Sequence, residues 1–252
     1  MTSASASPAL TFLGTGAAGG TPGTGRSRRR ESSALATAGA VTVLIDVTRD
    51  LPTQLDRIER IDGIVLTHGH ADAIGGFATL GRWWRRRTTT PIPTYASAAT
   101  IDAVRRRFRR LQHVAFVATA PDERRRIGPW DLVAVEVPHA RDPVRFPTYA
   151  WRLTASGRSV TYASDVARPT HALAASSAGS TLLAIDGATY RRAISSHLRI
   201  DRDLPTICRW DVRRIALTQI GRSAPPHDRL VRIAADLCPK AFPAYDGLEV
   251  AL

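Results

Sequence analysis

Leu66-Thr67-His68-Gly69-His70-Ala71-Asp72-Ala73-Ile74-Gly75-Gly76 places two histidines and an aspartate within one short turn. Before it, Ile64, Val65 and Leu66 form a β-branched and leucine run behind Asp62-Gly63. That run reads as a buried strand handing its C-terminal end to a loop. His68, His70 and Asp72 then follow at alternate positions. In an extended loop a period of two points all three side chains the same way, so two imidazoles and a carboxylate converge. Such a set suits a divalent metal: imidazole favours zinc or iron, and a carboxylate adds charge and can orient water. Polar turn residues are the bland alternative, sufficient for a lone histidine. The strand-end position, where α/β folds carry their ligand sites, favours the metal.

Outward from this loop, strands and helices alternate. Toward the N-terminus, Leu10 to Leu13 reads as a strand entering the glycine-rich loop Gly14 to Gly20, where backbone can pass close to a ligand. Ser33 to Thr37 and Val41 to Asp46 read as a hairpin about Ala38-Gly39, which favours an antiparallel sheet edge. Leu51, Leu55, Ile58 and Ile61 recur at near-helical spacing. Toward the C-terminus, the spacing predicts a helix over Ile74 to Trp84, a strand at Ile92 to Tyr95, a helix over Ser97 to Arg109 capped by Ser97, and a strand at Val114 to Val117. Pro121 to Pro129 reads as a charged turn. Strands are expected at Leu132 to Val137, Thr148 to Leu153, Ser159 to Ala163, Thr181 to Ile185 and Arg214 to Thr218, and a helix over Pro226 to Leu237. Two strand-rich halves with interspersed helices, joined by no long linker, predict one αββα sandwich domain over residues 1–252.

Composition limits what this domain can do. An apolar share of 44% is that of a soluble globular protein. No apolar run approaches the roughly 20 residues of a membrane span. Met1 to Pro8 is small and polar without a signal pattern, so the expected compartment is the cytoplasm. Cys208 and Cys238 have neither CxxC spacing nor density, and are expected as free buried thiols. The net charge is +13, yet Lys240 is the only lysine, a ratio that suggests coding bias. Runs at Arg28 to Arg30, Arg85 to Arg87, Arg105 to Arg110 and Arg124 to Arg126 would still attract anions. Solvated faces and helix ends are favoured over a nucleic-acid track, because aromatics are not interleaved for base stacking.

Thr67-His68-Gly69-His70-Ala71-Asp72 resembles the signature loop of the metallo-β-lactamase superfamily, whose usual form continues with a histidine where this chain has Ala73. The resemblance is nearest to the phosphoribosyl cyclic phosphodiesterase subgroup, relatives of the tRNA 3′-processing ribonucleases. Phe12 to Pro22 resembles that group's opening, Leu44 to Val47 its first strand pair, and Ser196-His197-Leu198 its histidine segment. Leu217 to Arg222 and Ala244 to Gly247 resemble its ending. The subgroup often carries a cysteine cluster for a structural zinc after its glycine loop; Gly23 to Arg30 has no cysteine, so that zinc is not expected.

The resemblance implies an αββα metallo-β-lactamase fold and assigns ligands residue by residue. His68, His70, His139 and Asp165 match the first metal's ligands, and all four are present. Asp72, Ala73, Asp165 and Gln219 match the second metal's ligands, where both imidazoles are missing. Asp46 matches an aspartate that steadies a ligand histidine from behind. Two losses on one ion imply one divalent metal ion, zinc first, with iron or manganese as alternatives.

The leading expectation is therefore a single-metal hydrolase of a small anionic phosphodiester or cyclic phosphate. In it Asp72 orients or deprotonates water, and His197 contacts phosphate or protonates the leaving group. A catalytically silent protein binding an anion or a partner, a single-iron oxygenase and a nuclease using the arginine runs are the rivals. Oligomeric state is left open.

Overall fold

The computed structural model of the chain describes residues 7–139 and 146–252. Met1 to Ala6 of the small polar N-terminal segment lie outside the described residues. One sheet is built from β1 (Ala9–Gly14), β2 (Ser33–Ala38), β3 (Val41–Ile45), β4 (Gly63–Val65), β5 (Ile92–Ala96) and β6 (Val114–Ala118). The other holds β7 (Arg124–Ile127), β8 (Trp130–Val137), β9 (Thr148–Ala155), β10 (Arg158–Ala163), β11 (Ser180–Asp186), β12 (Val212–Thr218) and β13 (Ala241–Pro243). A last strand, β14 (Glu249–Ala251), returns to pair with β1, so the orders are β14-β1-β2-β3-β4-β5-β6 and β13-β12-β11-β10-β9-β8-β7. As the opening hairpin implied, β14, β1, β2 and β3 run antiparallel. From β3 to β6, and from β10 to β13, neighbours are parallel. Parallel strands bring their C-terminal ends to one edge, which is where α/β sheets place ligands.

Alternation along the strands makes the sandwich. Leu182 and Ala184 of β11 face the layer between the sheets with Phe12, Trp130, Trp151 and Tyr162. Leu183 and Ile185 face outward under helices α5 (His171–Ser177), α6 (Ile200–Ile207) and α7 (His227–Leu237). The outer face of the first sheet, including Leu44 and Ile64, is covered by α1 (Leu51–Gln54), α2 (Ala71–Ile74), α3 (Phe77–Trp84) and α4 (Ala98–Arg107). The order helix, sheet, sheet, helix is the expected αββα sandwich. No helix among the described residues is long and apolar enough to cross a membrane.

Several local readings need correction. The stretch Leu51 to Ile61 is one helical turn followed by a 3-10 turn at Leu55–Arg57, after which Ile58 is extended. Ile58 and Ile61 are buried all the same. The helix expected from Ile74 starts earlier, at Ala71, and is broken at Gly75-Gly76. There the chain passes so close to Val47-Thr48 that a Cβ on Gly76 would sit 2.1 Å from the Thr48 carbonyl oxygen. The charged turn at Pro121 to Pro129 contains edge strand β7, in which Arg124, Arg125 and Arg126 pair with β8. Charge on an edge strand discourages pairing with another chain. Two helices escape the periodicity reading. α5 is small and polar but capped by Thr170, whose side chain accepts from the Leu173 N–H, and α6 carries Pro205 inside it.

Cys208 and Cys238 are not free thiols: they form a disulfide, with Cα atoms 5.6 Å apart. Each caps the C-terminal end of a helix, Cys208 that of α6 and Cys238 that of α7. Packing of those helices against one face of the second sheet brings the two ends together, a proximity that linear spacing does not encode.

Candidate metal centre

Four of the side chains singled out follow the C-terminal ends of strands. His68 follows β4, His139 follows β8, Asp165 follows β10 and Gln219 follows β12. The loop after β4 is fixed by the facing sheet: Trp151 Nε1 donates to the Leu66 carbonyl at 2.9 Å, and the Tyr149 N–H to the Thr67 carbonyl at 2.8 Å. The expected extended geometry holds only as far as His70, which is the N-cap of α2. Asp72 is brought back by the helical turn, as an i,i+4 partner whose Oδ1 lies 3.8 Å from His68 Nε2.

The structure brings the three histidines together. Donor atoms of His68, His70 and His139 all lie within 4.8 Å of one another. Asp165 makes a similar group with His139 and His197, and another with His68 and Asp72. Asp165 Oδ1 lies 3.7 Å from His139 Nε2. Tautomers follow from the partners. His139 Nδ1 lies 2.8 Å from the Ser196 carbonyl, which only accepts, so that nitrogen carries the proton and Nε2 keeps its lone pair. On His68, Nδ1 is 2.9 Å from Thr67 Oγ1, and Nε2 is fully buried with no hydrogen-bond partner. A buried imidazole nitrogen without a partner costs on the order of 1–3 kcal/mol unless something binds it. Three imidazoles and a carboxylate converging on such an atom fit a divalent ion of the zinc or iron type.

Asp46 acts through an intermediary. Both its oxygens are taken by Thr67, from the N–H at 2.8 Å and from Oγ1 at 2.9 Å, and Thr67 in turn meets His68 Nδ1. Asp46 and Gln219 both hold left-handed backbone, φ 63° and 56°, at the ends of their strands. Such conformations cost of order 1–3 kcal/mol in non-glycine residues and concentrate at functional sites.

The electrostatics follow from burial. His68 is held below the ordinary imidazole value by burial, despite Asp165 and Asp72 nearby. His70 falls to about 4, first by burial and then by His68 and His139. Burial would raise Asp165, but the surrounding imidazoles of His68, His139 and His197 outweigh it and bring its carboxyl down to about 2. His197, itself charged at neutral pH, adds to that lowering after His68 and His139. Burial opposes that charge, yet Asp186, with its Oδ2 2.7 Å from His197 Nδ1, raises His197 to about 9. Asp186 also accepts the Val166 and Ala188 N–H groups, so its orientation is fixed.

On the side of the missing imidazoles, Gln219 is not a vacant position. Its Nε2 donates to Asp165 Oδ1 at 2.8 Å and reaches Asp72 Oδ2 at 3.5 Å. Carboxylates only accept, so the amide nitrogen must face them. Ala73 is 2% exposed and packs with Leu51, Ile74 and Phe77 in the outer core. His70, Asp72, His139, Asp165, His197 and Gln219 line a cleft of about 730 Å³, together with Phe146 and the exposed Ile194.

Sequence reasoning missed Asp186, Thr67 and the Ser196 carbonyl. Asp186 directly follows the strand expected to end at Ile185, and so carries the same strand-end signal as Asp46 and Asp165. The Ser196 carbonyl is a main-chain acceptor, for which a sequence has no mark.

Known proteins resemble this chain to different depths. A solved structure described as a new diphosphatase from the PhnP family superposes with a TM-score of 0.85 and 25% identity, over 97% of this chain and 98% of that one. Human tRNase Z, short form, gives 0.74 with 18% identity, over 96% and 98%, a likeness of fold alone. The octanoyltransferase of Porphyromonas gingivalis is 25% identical over 237 residues, 89% of this chain but 45% of that protein, so the chain spans about half the length of this curated relative. Residues 41–220, which contain the loop histidines, His139, Asp165, His197 and Gln219, match the model of the Beta-lactamase superfamily domain, and the chain belongs to that family.

Proposed function

We propose that the chain is a hydrolase of small phosphodiesters or cyclic phosphates that works with one divalent ion, zinc first, held by His68, His70, His139 and Asp165. The observation that carries this reading is the unpartnered, buried Nε2 of His68 among converging imidazoles, beside a second position already filled by the Gln219 amide. The Gln219 amide turns its N–H group toward both carboxylates at the position of the second ion, and offers no imidazole there. When bound, an ion at such a site supplies Lewis acidity and lowers the pKa of water. The 25% identical diphosphatase supports phosphate ester chemistry at this cleft.

The chain's own residues would do the rest. Asp72, which lines the cleft, orients water and accepts its proton. His197, charged through Asp186, faces the same cleft with its other nitrogen. There it donates to a phosphoryl oxygen and then gives its proton to the departing alkoxide. Gln219 fixes the direction of both carboxylates.

Metal analysis of protein purified without added metal, with hydrolysis of bis(p-nitrophenyl) phosphate and of a 2′,3′-cyclic nucleotide, tests this. About one zinc per chain is expected, with turnover abolished by His68→Ala and reduced by His197→Ala. Turnover that survives His68→Ala unchanged would overturn the reading. Iron with oxygen uptake would replace it by an oxygenase, and ligand binding without turnover by a silent binding protein.

A further inference from the structure

Strand β6 ends the first sheet, pairing with β5 on one side and with no strand among the described residues on the other. Half of its main-chain groups therefore look outward. The Ile92 N–H donates to the His113 carbonyl and the Thr119 N–H to the Ala96 carbonyl, so Ala115 and Val117 between them also turn toward β5. Phe116 and Ala118 face out, because the hydrogen-bonding direction alternates from residue to residue along a strand. The Ala118 carbonyl agrees with this sense, since it accepts from Arg125 Nη2 at 3.0 Å. The Phe116 N–H and carbonyl and the Ala118 N–H have no such partner among the described residues.

Nothing within the strand guards this edge. Val114–Ala118 reads VAFVA, without the charge or proline that keeps exposed strands from pairing. Ala115 and Ala118 are exposed, and Phe116 and Val117 half-buried. Phe116 packs on the outer core, its ring 6.1 Å from that of Phe77, and Arg105 lies over it, 5.7 Å from the ring centroid.

The charge around the strand is of one sign. α4 ends in Arg105, Arg106 and Arg107, and Arg109 and Arg110 follow before β6 begins. Arg107, Arg109 and Arg110 share with Arg82 and Arg85 a cavity of about 420 Å³ that no carboxylate lines. Leu111 to His113 join it to β6, and three residues of chain span at most about 10 Å. Arg105 has the exposed Asp102 3.9 Å away, a contact worth little in water. The negative end of the helix dipole accounts for the cations in the last turn of α4. It does not account for Arg109 and Arg110, which lie beyond the helix, or for an acid-free cavity.

Open main-chain groups on an uncharged strand select an extended chain as the occupant, and the arginines around them select its side chains. A second copy is disfavoured, because pairing β6 with itself would set two arginine clusters against each other. Nucleic acid has no peptide backbone with which to extend the sheet. We infer that β6 is a docking edge for an extended acidic segment of another protein, which adds as a further strand and sets its carboxylates against Arg105, Arg109 and Arg110. This edge lies two strands beyond β4, with its arginines at the entry end of β6, whereas the metal centre gathers at strand exits. The inference therefore stands apart from whatever the cleft hydrolyses.

The probe is a short fluorescent peptide of alternating glutamate and valine, titrated by anisotropy with the whole chain. Its controls are the same peptide with lysine for glutamate, and the same peptide methylated at every backbone nitrogen. The wild type is expected to bind the acidic peptide about tenfold more tightly than either control. Amide exchange over residues 114–118, read by mass spectrometry, should slow when it binds. Arg105→Glu/Arg109→Glu changes two exposed side chains and should reverse the preference toward the lysine peptide. Ala118→Pro removes an outward N–H and should lose the acidic peptide with every arginine still in place. If that variant fails to fold by circular dichroism, the methylated peptide carries the same test. Absent binding, or equal binding of the acidic and lysine peptides, overturns the proposal. Undiminished binding of the methylated peptide would mean adsorption to charge without strand addition, and overturns it as well. Oligouridine that displaces the peptide with steep salt dependence would make the arginines a nucleic-acid contact. A dimer in sedimentation that Ala118→Pro abolishes would make β6 a self-pairing edge. Either result replaces the acidic partner and overturns the inference.

Discussion

His197 Nδ1 lies 2.7 Å from Asp186 Oδ2, and that carboxylate is itself fixed by the Val166 and Ala188 N–H groups. The contact raises His197 to about 9, against the burial that opposes its charge. Asp186→Asn removes the anion but keeps the shape, so His197 should fall back toward the ordinary imidazole value near 6.5. Since the folded value is raised, its stabilising contribution is full below about 6.5 and is lost as pH rises through 9. If His197 is the proton donor, the alkaline limb of the pH–rate profile should move from near 9 to below 8, with kcat at pH 8 reduced about tenfold to a hundredfold. NMR titration of His197 in the metal-free chain checks the shift separately from turnover. An unmoved titration in Asp186→Asn would dismiss the pair as the cause.

How far this site could be read from sequence depends on where each residue gets its position. His68, Asp165 and Gln219 stand within three residues of the ends of β4, β10 and β12, so the strand-end position together with the family resemblance finds them. Asp186 was equally legible but lay one residue beyond the expected strand, with no family motif to call attention to it. The role of Gln219 was not legible as chemistry. A missing histidine reads as a lost ligand, whereas the bond from its amide to Asp165 depends on the packing of β10 against β11 and β12. The disulfide was hidden for a similar reason: Cys208 and Cys238 meet only because two helices share one sheet face.

Acid should destabilise the metal-free chain through its buried imidazoles, while the carboxyls of Asp46, Asp186 and Asp246, held above the ordinary carboxylate range by burial, act in the opposite sense. Unfolded imidazoles take up protons near pH 6.5, while burial and the neighbouring histidines hold His70 to about 4 and burial holds His68 down as well. Between pH 6.5 and 4 the unfolded chain therefore binds more protons at these two histidines, and their contribution to stability falls as pH falls. Discounted for its partial exposure, His70 alone should account for roughly 1–2 kcal/mol across that window. Asp165 does not contribute there, since its folded value is depressed to about 2 and its stabilisation is lost only below the ordinary carboxylate range. Urea unfolding of chelator-treated protein at pH 7 and 4.5 measures the loss, and His70→Gln should shrink it. A pH dependence that His70→Gln leaves unchanged would contradict the burial argument. Zinc affinity should weaken over the same window, because a proton and an ion compete for each imidazole.

The bond between Cys208 and Cys238 closes a loop with a sequence separation of 30. Loop-closure entropy puts its contribution at about 3–4 kcal/mol. Cys208→Ser/Cys238→Ser, or the wild type under reducing conditions, should unfold at correspondingly lower urea concentration. Zinc content should not change, because the length of α6, about 12 Å at 1.5 Å per residue, separates Cys208 from the His197 segment. Loss of zinc on reduction, with the fold still intact by circular dichroism, would show that the staple positions the site.

The Gln219 amide bridging Asp165 and Asp72 makes ion stoichiometry the sharpest test of the site. Wild type should hold about one zinc after adventitious metal is stripped, since two carboxylates and an amide are poor zinc ligands. Gln219→His alone supplies one imidazole and should change the count little. Ala73→His/Gln219→His supplies both, and should raise the count toward two and increase phosphodiester hydrolysis. That gain comes with a cost. Ala73 is packed among Leu51, Ile74 and Phe77, and a larger side chain in a filled core costs about 1–3 kcal/mol, so the metal-free double variant should melt below the wild type and recover on adding zinc. Two tightly held zinc ions in the wild type would show that the amide yields its place to a cation, and would end the single-ion reading. A double variant that stays at one ion and melts early would mean instead that α2 cannot carry an imidazole at residue 73 into the cleft.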